Sequence, residues 1–254
     1  MPIDLRNSRV LVTNDDGYGA PGLEILIEIA HSLASEVWVV APAEESSGTG
    51  HSITVRRPLT VKQKNAKTYT VDGTPTDCII LAVNEIMKDN LPNLVLSGVN
   101  SGVNIAEDVS YSGTIGAAME ATIAGVPAIA LSQEMSGSEL SWNVAKKNAA
   151  EIITKLSSLE WISDTLINVN FPFSEKEQGK YQITRQGRQK RGDQVSLIEQ
   201  RDSINKYQIG QVKLNGITQS CTDAESLKNG AISITPLSIS FTEEAFFRSL
   251  RRNM

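Results

Sequence analysis

The chain has 254 residues, a formal net charge of −5, 40% hydrophobic residues and 21% charged residues. That size and balance suit one large globular domain, or one domain with an appendage, and an acidic chain is a poor match for duplex nucleic acid. No apolar run approaches the roughly 18 residues a membrane span needs, and Cys78 and Cys221 lack metal or disulfide spacing, so a reducing, cytoplasmic setting is expected.

Val10-Leu11-Val12 predicts a buried strand over 9–13, and Leu23, Leu26, Ile27, Ala30 and Leu33 predict a helix over 22–34. Between them lies Asn14-Asp15-Asp16-Gly17, the strongest turn signal in the chain. A parallel α/β sheet binds ligands at the carboxyl ends of its strands. Two adjacent carboxylates at such an end repel each other, and a cation is the simplest way to keep both. Gly17-Tyr18-Gly19-Ala20-Pro21-Gly22 also matches the dinucleotide pattern G-x-G-x-x-G. A pyrophosphate there would face Asp15 and Asp16, and Pro21 removes one backbone donor, so this reading is the weaker one.

Glu36 to Ala41 predicts the second strand, closed by Pro42. The loop 43–52 carries Glu44, Glu45, Ser46, Ser47, Gly48 and His51; its hydroxyls and glycines suit an oxyanion or metal site and are equally ordinary loop composition. His51 is a candidate substrate contact with a structural role as the alternative, and His31 is expected to be exposed on the first helix. Ile53–Val55 and Thr68–Val71 predict an inserted antiparallel hairpin around a polar turn at 62–67. A helix over 76–88 follows, capped by Thr76 or Asp77.

Leu94–Ser97 predicts the next buried strand, and the loop 98–114 after it is rich in Gly, Asn and Ser. Its backbone donors and the amides of Asn100 and Asn104 are expected to face outward. Ser112-Gly113-Thr114 opens a helix of small residues, and that start is a candidate anion site. Strands at 128–132 and 166–172 and a helix over 141–159 complete five strands alternating with helices. The expected architecture is α/β, a doubly wound, mostly parallel sheet with helices on both faces. Residues 1–172 form the core, 173–220 a polar region of extended hairpins, and 221–254 a return to the core with a terminal helix at 243–252. The 173–220 region includes the basic cluster Arg185, Arg188, Lys190 and Arg191.

Asn14-Asp15-Asp16-Gly17 with Ala20-Pro21-Gly22, Ser47-Gly48 after Ala41-Pro42, and Gly73-Thr74-Pro75-Thr76-Asp77-Cys78 together resemble the SurE (survival protein E) nucleotidases. So do Ser97-Gly98-Val99-Asn100 with Gly102 and Asn104, Tyr111-Ser112-Gly113-Thr114, Asn168-Val169-Asn170 and Ile234-Thr235-Pro236-Leu237. The resemblance implies a Rossmann-like body, a phosphatase acting on nucleoside 5′- and 3′-monophosphates, and a C-terminal hairpin used to form a homodimer or homotetramer. It implies Asp15, Asp16, Ser47 and Asn100 as ligands of one divalent cation per subunit. An all-oxygen donor set points to Mg²⁺ or Mn²⁺. Asp15 or Asp16 is then the candidate catalytic group toward water, and Asn14, Gly48, Asn104, Ser112, Gly113 and Thr114 are candidates for phosphate and substrate. Ala106 and Ala121 stand where the family usually has glycine. The alternative on the same fold is a non-catalytic, metal-dependent nucleotide sensor.

Overall fold

The computed structural model describes residues 2–174, 181–214 and 219–254. Its strands are β1 (Arg9–Thr13), β2 (Glu36–Pro42), β3 (Val61–Asn65), β4 (Thr68–Val71), β5 (Leu94–Ser101), β6 (Ala128–Gln133), β7 (Met135–Ser136), β8 (Glu139–Leu140), β9 (Thr165–Phe171), β10 (Tyr181–Ile183), β11 (Lys190–Arg201), β12 (Ile204–Leu214) and β13 (Ile232–Ser238). The α-helices are α1 (Pro21–Leu33), α2 (Pro75–Leu81), α3 (Gly113–Ile123), α4 (Asn143–Ser157), α5 (Asp223–Lys228) and α6 (Glu244–Asn253).

One sheet runs in the order β10-β13-β9-β6-β5-β1-β2-β4-β3. Its body is parallel; β3 against β4 and β13 against β9 are the antiparallel pairs. Alternation along each strand sends side chains to two separate cores. Val10, Val12, Leu94, Leu96, Ile129 and Leu131 pack under α1 and α4. Leu11, Val95, Ala128 and Ala130 pack under α2 and α3. The alanines of β6 face Ala117, Ala118 and Ala121 of α3, so this helix lies close to the sheet. Fold class and architecture are as the pattern of residues predicts: α/β, Rossmann-like, wound on both faces.

Four local expectations need correction. Ile53–Val55 is not a strand; β3 occupies the stretch expected as a turn, and β4 joins the main sheet parallel to β2. The helix at 76–88 is α2 followed by a π-helical turn over Ala82–Ile86, and its cap is Thr74. The Thr74 hydroxyl accepts the Asp77 N–H at 3.1 Å while Asp77 Oδ2 accepts the Thr74 N–H at 2.8 Å, a reciprocal capping box that leaves Thr76 inside the helix. Tyr181–Ile183, expected within a hairpin, adds to the sheet edge beside β13. The loop 98–114 is more structured than its composition suggests, because β5 continues to Ser101 and a 3₁₀ turn spans Ala106–Ser110.

The extended hairpin is present as β11–β12, paired to each other and in a sheet of their own. Of the 173–220 region, residues 175–180 and 215–218 lie outside the described part of the chain. No helix among the described residues is long and apolar enough to cross a membrane.

Candidate active site

The strand that follows β1 in the chain lies on one side of it, at β2, while β5, β6 and β9 extend on the other side. The order therefore reverses between β1 and β5, and an open α/β sheet forms its ligand crevice at such a point. Asp15 and Asp16 leave the carboxyl end of β1, and Asn100 and Ser101 end β5. The register between β5 and β6 slips between Ser97 and Asn100, a bulge after which Asn100 pairs with Ser132 and Ser101 with Gln133. Gly98 makes this slip possible: its φ is +135°, and a Cβ there would lie 2.2 Å from the Leu131 carbonyl oxygen.

Asp15 is buried, with 3% exposure, and lies at the start of α3. Its Oδ1 accepts the Thr114 hydroxyl at 2.5 Å. Burial raises its carboxyl above the ordinary value, and the Thr114 hydroxyl with the N–H groups of Thr114 and Gly113 partly offsets this. The helix N-terminus expected to take an anion thus takes one from the protein itself, the Asp15 carboxylate. Gly113 leaves room for it, since a Cβ there would sit 2.9 Å from Asp15 Cβ.

Asp16 is half-buried and accepts the Ser101 N–H at 3.0 Å through Oδ2. Its pKa is pushed up to about 6, by burial first and then by the charges of Asp15 and Glu45, with the Ser101 N–H opposing. Glu45 and Ser101 are contacts the sequence reading did not single out. Neither has a motif; the Ser101 donor is a backbone group, and Glu45 enters through the fold of its loop.

The loop after β2 closes the other wall. Ser46 N–H donates to the Asp15 carbonyl at 2.7 Å, and the Tyr18 N–H donates to the Pro42 carbonyl at 2.8 Å. Ser47 is exposed, and its hydroxyl donates to Glu45 at 3.0 Å. Gly48 is exposed at φ +73° with open space around it. His51 Nε2 lies 2.8 Å from Glu120 Oε2, so His51 ties the loop to α3, in keeping with its structural role. Asn100 is half-buried; its amide nitrogen donates to the Gly102 carbonyl at 2.9 Å, which leaves the amide oxygen for other partners.

Asn104 is placed differently from the outward-facing amide expected, and Asn14 is buried as well. Asn14 is fully buried and donates to the Gly17 carbonyl at 2.9 Å. Asn104 points inward, donating to Ser132 Oγ at 2.8 Å, while its peptide group is held by Asn168 at 2.7 Å and Asn170 at 2.8 Å. Buried amides satisfy one another here and hold the loop on β6 and β9. Ser112 caps α3, its hydroxyl accepting the Ile115 N–H at 3.1 Å. A cavity of about 540 Å³ runs along α3, lined by His51, Ser112, Ile115, Met119 and Phe241, but neither carboxylate lines it.

The donors suit a hard cation. Asn14 Oδ1, Thr13 Oγ1 and Ser97 Oγ are buried oxygens without a hydrogen-bond partner among the described residues, and Thr13 and Ser97 are register partners on β1 and β5, with Thr13 two residues before Asp15. Orphan oxygens near two carboxylates, both raised by burial and Asp16 also by neighbouring charge, suit a positive charge. Among the described residues no three His, Cys, Asp or Glu side chains converge, so the set is two carboxylates plus neutral oxygens rather than a zinc-type cluster.

Residues 10–193 match the family described as Survival protein SurE. A Paramagnetospirillum magneticum protein named 5′-nucleotidase SurE is 44% identical over 252 residues, covering 97% of this chain and 96% of that one. The protein of the same name from Parvibaculum lavamentivorans is 44% identical over 254 residues, covering 96% and 90%. The crystal structure of the SurE protein from Aquifex aeolicus superposes with a TM-score of 0.83 at 36% identity, covering 96% of this chain and 98% of that one. The chain belongs to the SurE family.

Proposed function

We propose that the protein is a metal-dependent phosphatase that hydrolyses nucleoside 5′- and 3′-monophosphates, the 5′-nucleotidase activity being the one in its relatives' names. The observation that carries the reading is the pair Asp15–Asp16 at the switch point, one buried against α3 and the other turned to the crevice. Asp15, Asp16, Asn100 and Ser47 would hold one Mg²⁺ or Mn²⁺ ion. When bound, the ion polarises a phosphoryl oxygen and offsets charge that develops as the ester bond breaks.

The protein's own residues divide the remaining work. Asp15 has its oxygens engaged by Thr114 and the start of α3, so it serves as a fixed anchor. Asp16 accepts the Ser101 N–H through Oδ2 and is the carboxylate that would orient the attacking water and take its proton. The exposed Ser47–Gly48 turn supplies hydroxyl and backbone donors to the phosphate. Gly113, Thr114, Ser112 and Asn104 act on substrate indirectly, by shaping α3 and its loop. β11–β12 is a two-stranded sheet with exposed Val195, Leu197, Ile198, Tyr207 and Ile209, and two strands alone are marginal in water. A homodimer or homotetramer that covers it follows from that.

Phosphate release from a panel of nucleoside monophosphates, with Mg²⁺ or Mn²⁺ and with excess chelator, tests the proposal. Turnover that needs the metal and is lost in Asp16→Asn supports it. Tight nucleotide binding without phosphate release would favour the sensor instead.

A further inference from the structure

Asp223 is the first residue of α5, a position where an exposed carboxylate would be enough. In the structure it is 0% exposed and its side chain leaves its own helix. Oδ2 accepts the Ala106 N–H at 3.0 Å, and Oδ1 accepts the N–H groups of Gly187 at 2.9 Å and Ala224 at 2.8 Å. Only the last of these belongs to α5, and the Thr222 hydroxyl already caps that helix. The other two bonds reach 117 and 36 residues along the chain. A carboxylate buried to this degree needs several donors, and those donors come from two other segments.

Ala106 shows what the bonds hold. Its φ is +49°, in the left-handed region that favours glycine. Both of its peptide groups are pinned: the N–H by Asp223, and the carbonyl by the Gln186 amide at 2.7 Å. The next residue, Glu107, accepts the Gln189 N–H at 2.9 Å. Ala106 opens the 3₁₀ turn that ends at Ser110, and there the Tyr111 carbonyl accepts the Gly50 N–H at 2.9 Å. A Cβ at Gly116 would sit 2.4 Å from the Gly50 carbonyl oxygen, so the Ser47-bearing loop rests directly on α3. A continuous set of contacts therefore joins Asp223 and Gln186 to Ser112, the cap of α3, and to Gly50 of the Ser47 loop.

We infer that Asp223 and Gln186 are positioning residues for the phosphate subsite: together they hold Ala106 so that the 104–112 loop, and through it the Ser47–Gly50 turn, presents its donors to the phosphate. The inference rests on the phosphatase reading above for what the subsite binds. Neither residue bonds to Asp15 or Asp16, whose partners are Thr114 and the Ser101 N–H. The same bonds fasten residues 186–189, the root of the β11–β12 hairpin, to the active-site loop.

Asp223→Asn and Gln186→Ala test this. Asparagine keeps the size and one acceptor oxygen but puts an N–H₂ group against a donor, so one of the two long-range bonds is lost. The expected result in both folded variants is faster amide hydrogen exchange over residues 104–112 and weaker binding of inorganic phosphate to the Mn²⁺-loaded protein. Mutations along such a contact chain shift affinity by roughly 2- to 30-fold. Mn²⁺ binding by calorimetry, without phosphate, should weaken less than phosphate binding does, because Ser47 is the one candidate ligand carried on this turn, and KM should rise more than kcat falls. Unchanged loop exchange and phosphate affinity in both variants would overturn the inference, as would equal losses of metal and phosphate affinity. If Asp223→Asn does not fold, Gln186→Ala decides alone. A wild-type protein that releases no phosphate from nucleotides refutes the proposed function, while the exchange measurement still decides the role of Asp223.

Discussion

Thr114 gives its hydroxyl to Asp15 Oδ1 at 2.5 Å, joining two residues 99 positions apart. The bond opposes the effect of burial on the Asp15 carboxyl, so it favours the ionised form, the one that would take a cation in the proposed site. Thr114→Val should leave the fold in place, raise the Asp15 pKa further and weaken Mn²⁺ binding near pH 7. Loss of a bond that orients a ligand lowers metal affinity roughly 10- to 100-fold. Thr114→Ser should restore it. Calorimetric Mn²⁺ affinities of the three proteins at pH 6 and pH 8 are the check, and the Thr114→Val deficit should be larger at pH 6.

Metal-free stability should fall as pH rises through the titration of Asp16. The folded pKa is raised from 3.8 to about 6, so between these values the native state binds more protons than the unfolded chain. The stabilising contribution is therefore complete below about pH 4 and lost by the time pH passes about 6. Asp16→Asn removes the unfavourable charge and should raise Tm at pH 8 in chelator while abolishing the Tm gain from Mn²⁺. Scanning calorimetry across pH 4 to 8, with and without metal, measures both effects. An Asp16→Asn protein less stable than wild type in chelator at pH 8 would contradict the electrostatic account.

Gly113→Ala sets two effects against each other. Helix propensity favours alanine by up to about 1 kcal/mol. The added Cβ would lie 2.9 Å from Asp15 Cβ and 3.1 Å from Pro75 Cγ, and forcing a methyl into packed surroundings costs about 1–3 kcal/mol. The clash should win: Tm falls, and Mn²⁺ affinity falls with it because Asp15 is displaced. Gly125→Ala is not an equivalent control, since Gly125 has φ +78°. Gly192, with nothing near its Cβ, is a suitable one, and Gly192→Ala should leave metal binding unchanged.

Replacing residues 190–214 with a short Gly/Ser linker should shrink the particle seen by light scattering. Val195, Leu197, Ile198, Ile204, Tyr207 and Ile209 are all at least half exposed on a hairpin that, among the described residues, pairs with no other strand. Such edges and faces are normally covered by another chain. Mn²⁺ binding should survive, because no candidate ligand lies in the segment. An unchanged particle size would refute a subunit contact there.

The parallel core was legible because its information is local. Short β-branched runs bounded by turn residues, alternating with helical spacing, identify β1, β2, β5, β6 and β9 and the helices between them. The hairpin β3–β4 was misplaced because Val61–Asn65 is exposed along its length, so no apolar alternation marks it. Tyr181–Ile183 likewise carried a strand signal but no sign of which strand it would join. Asp15 and Asp16 could be found because two adjacent carboxylates at a strand end are costly without a cation.

By itself the sequence determined the α/β class, the winding, and the pair of carboxylates with the hydroxyl and amide groups around them. Those features depend on residue type and near-neighbour spacing. Only the tertiary structure decided which partners each group has. It brought Thr114 and the start of α3 onto Asp15, leaving Asp16 as the open carboxylate. It turned Asn104 into the core and carried Asp223 across to Ala106. These are contacts between residues 28 to 117 positions apart, and a side chain's partner over such separations is chosen by how the sheet and helices pack, because each buried polar group must find a donor or acceptor wherever packing places it.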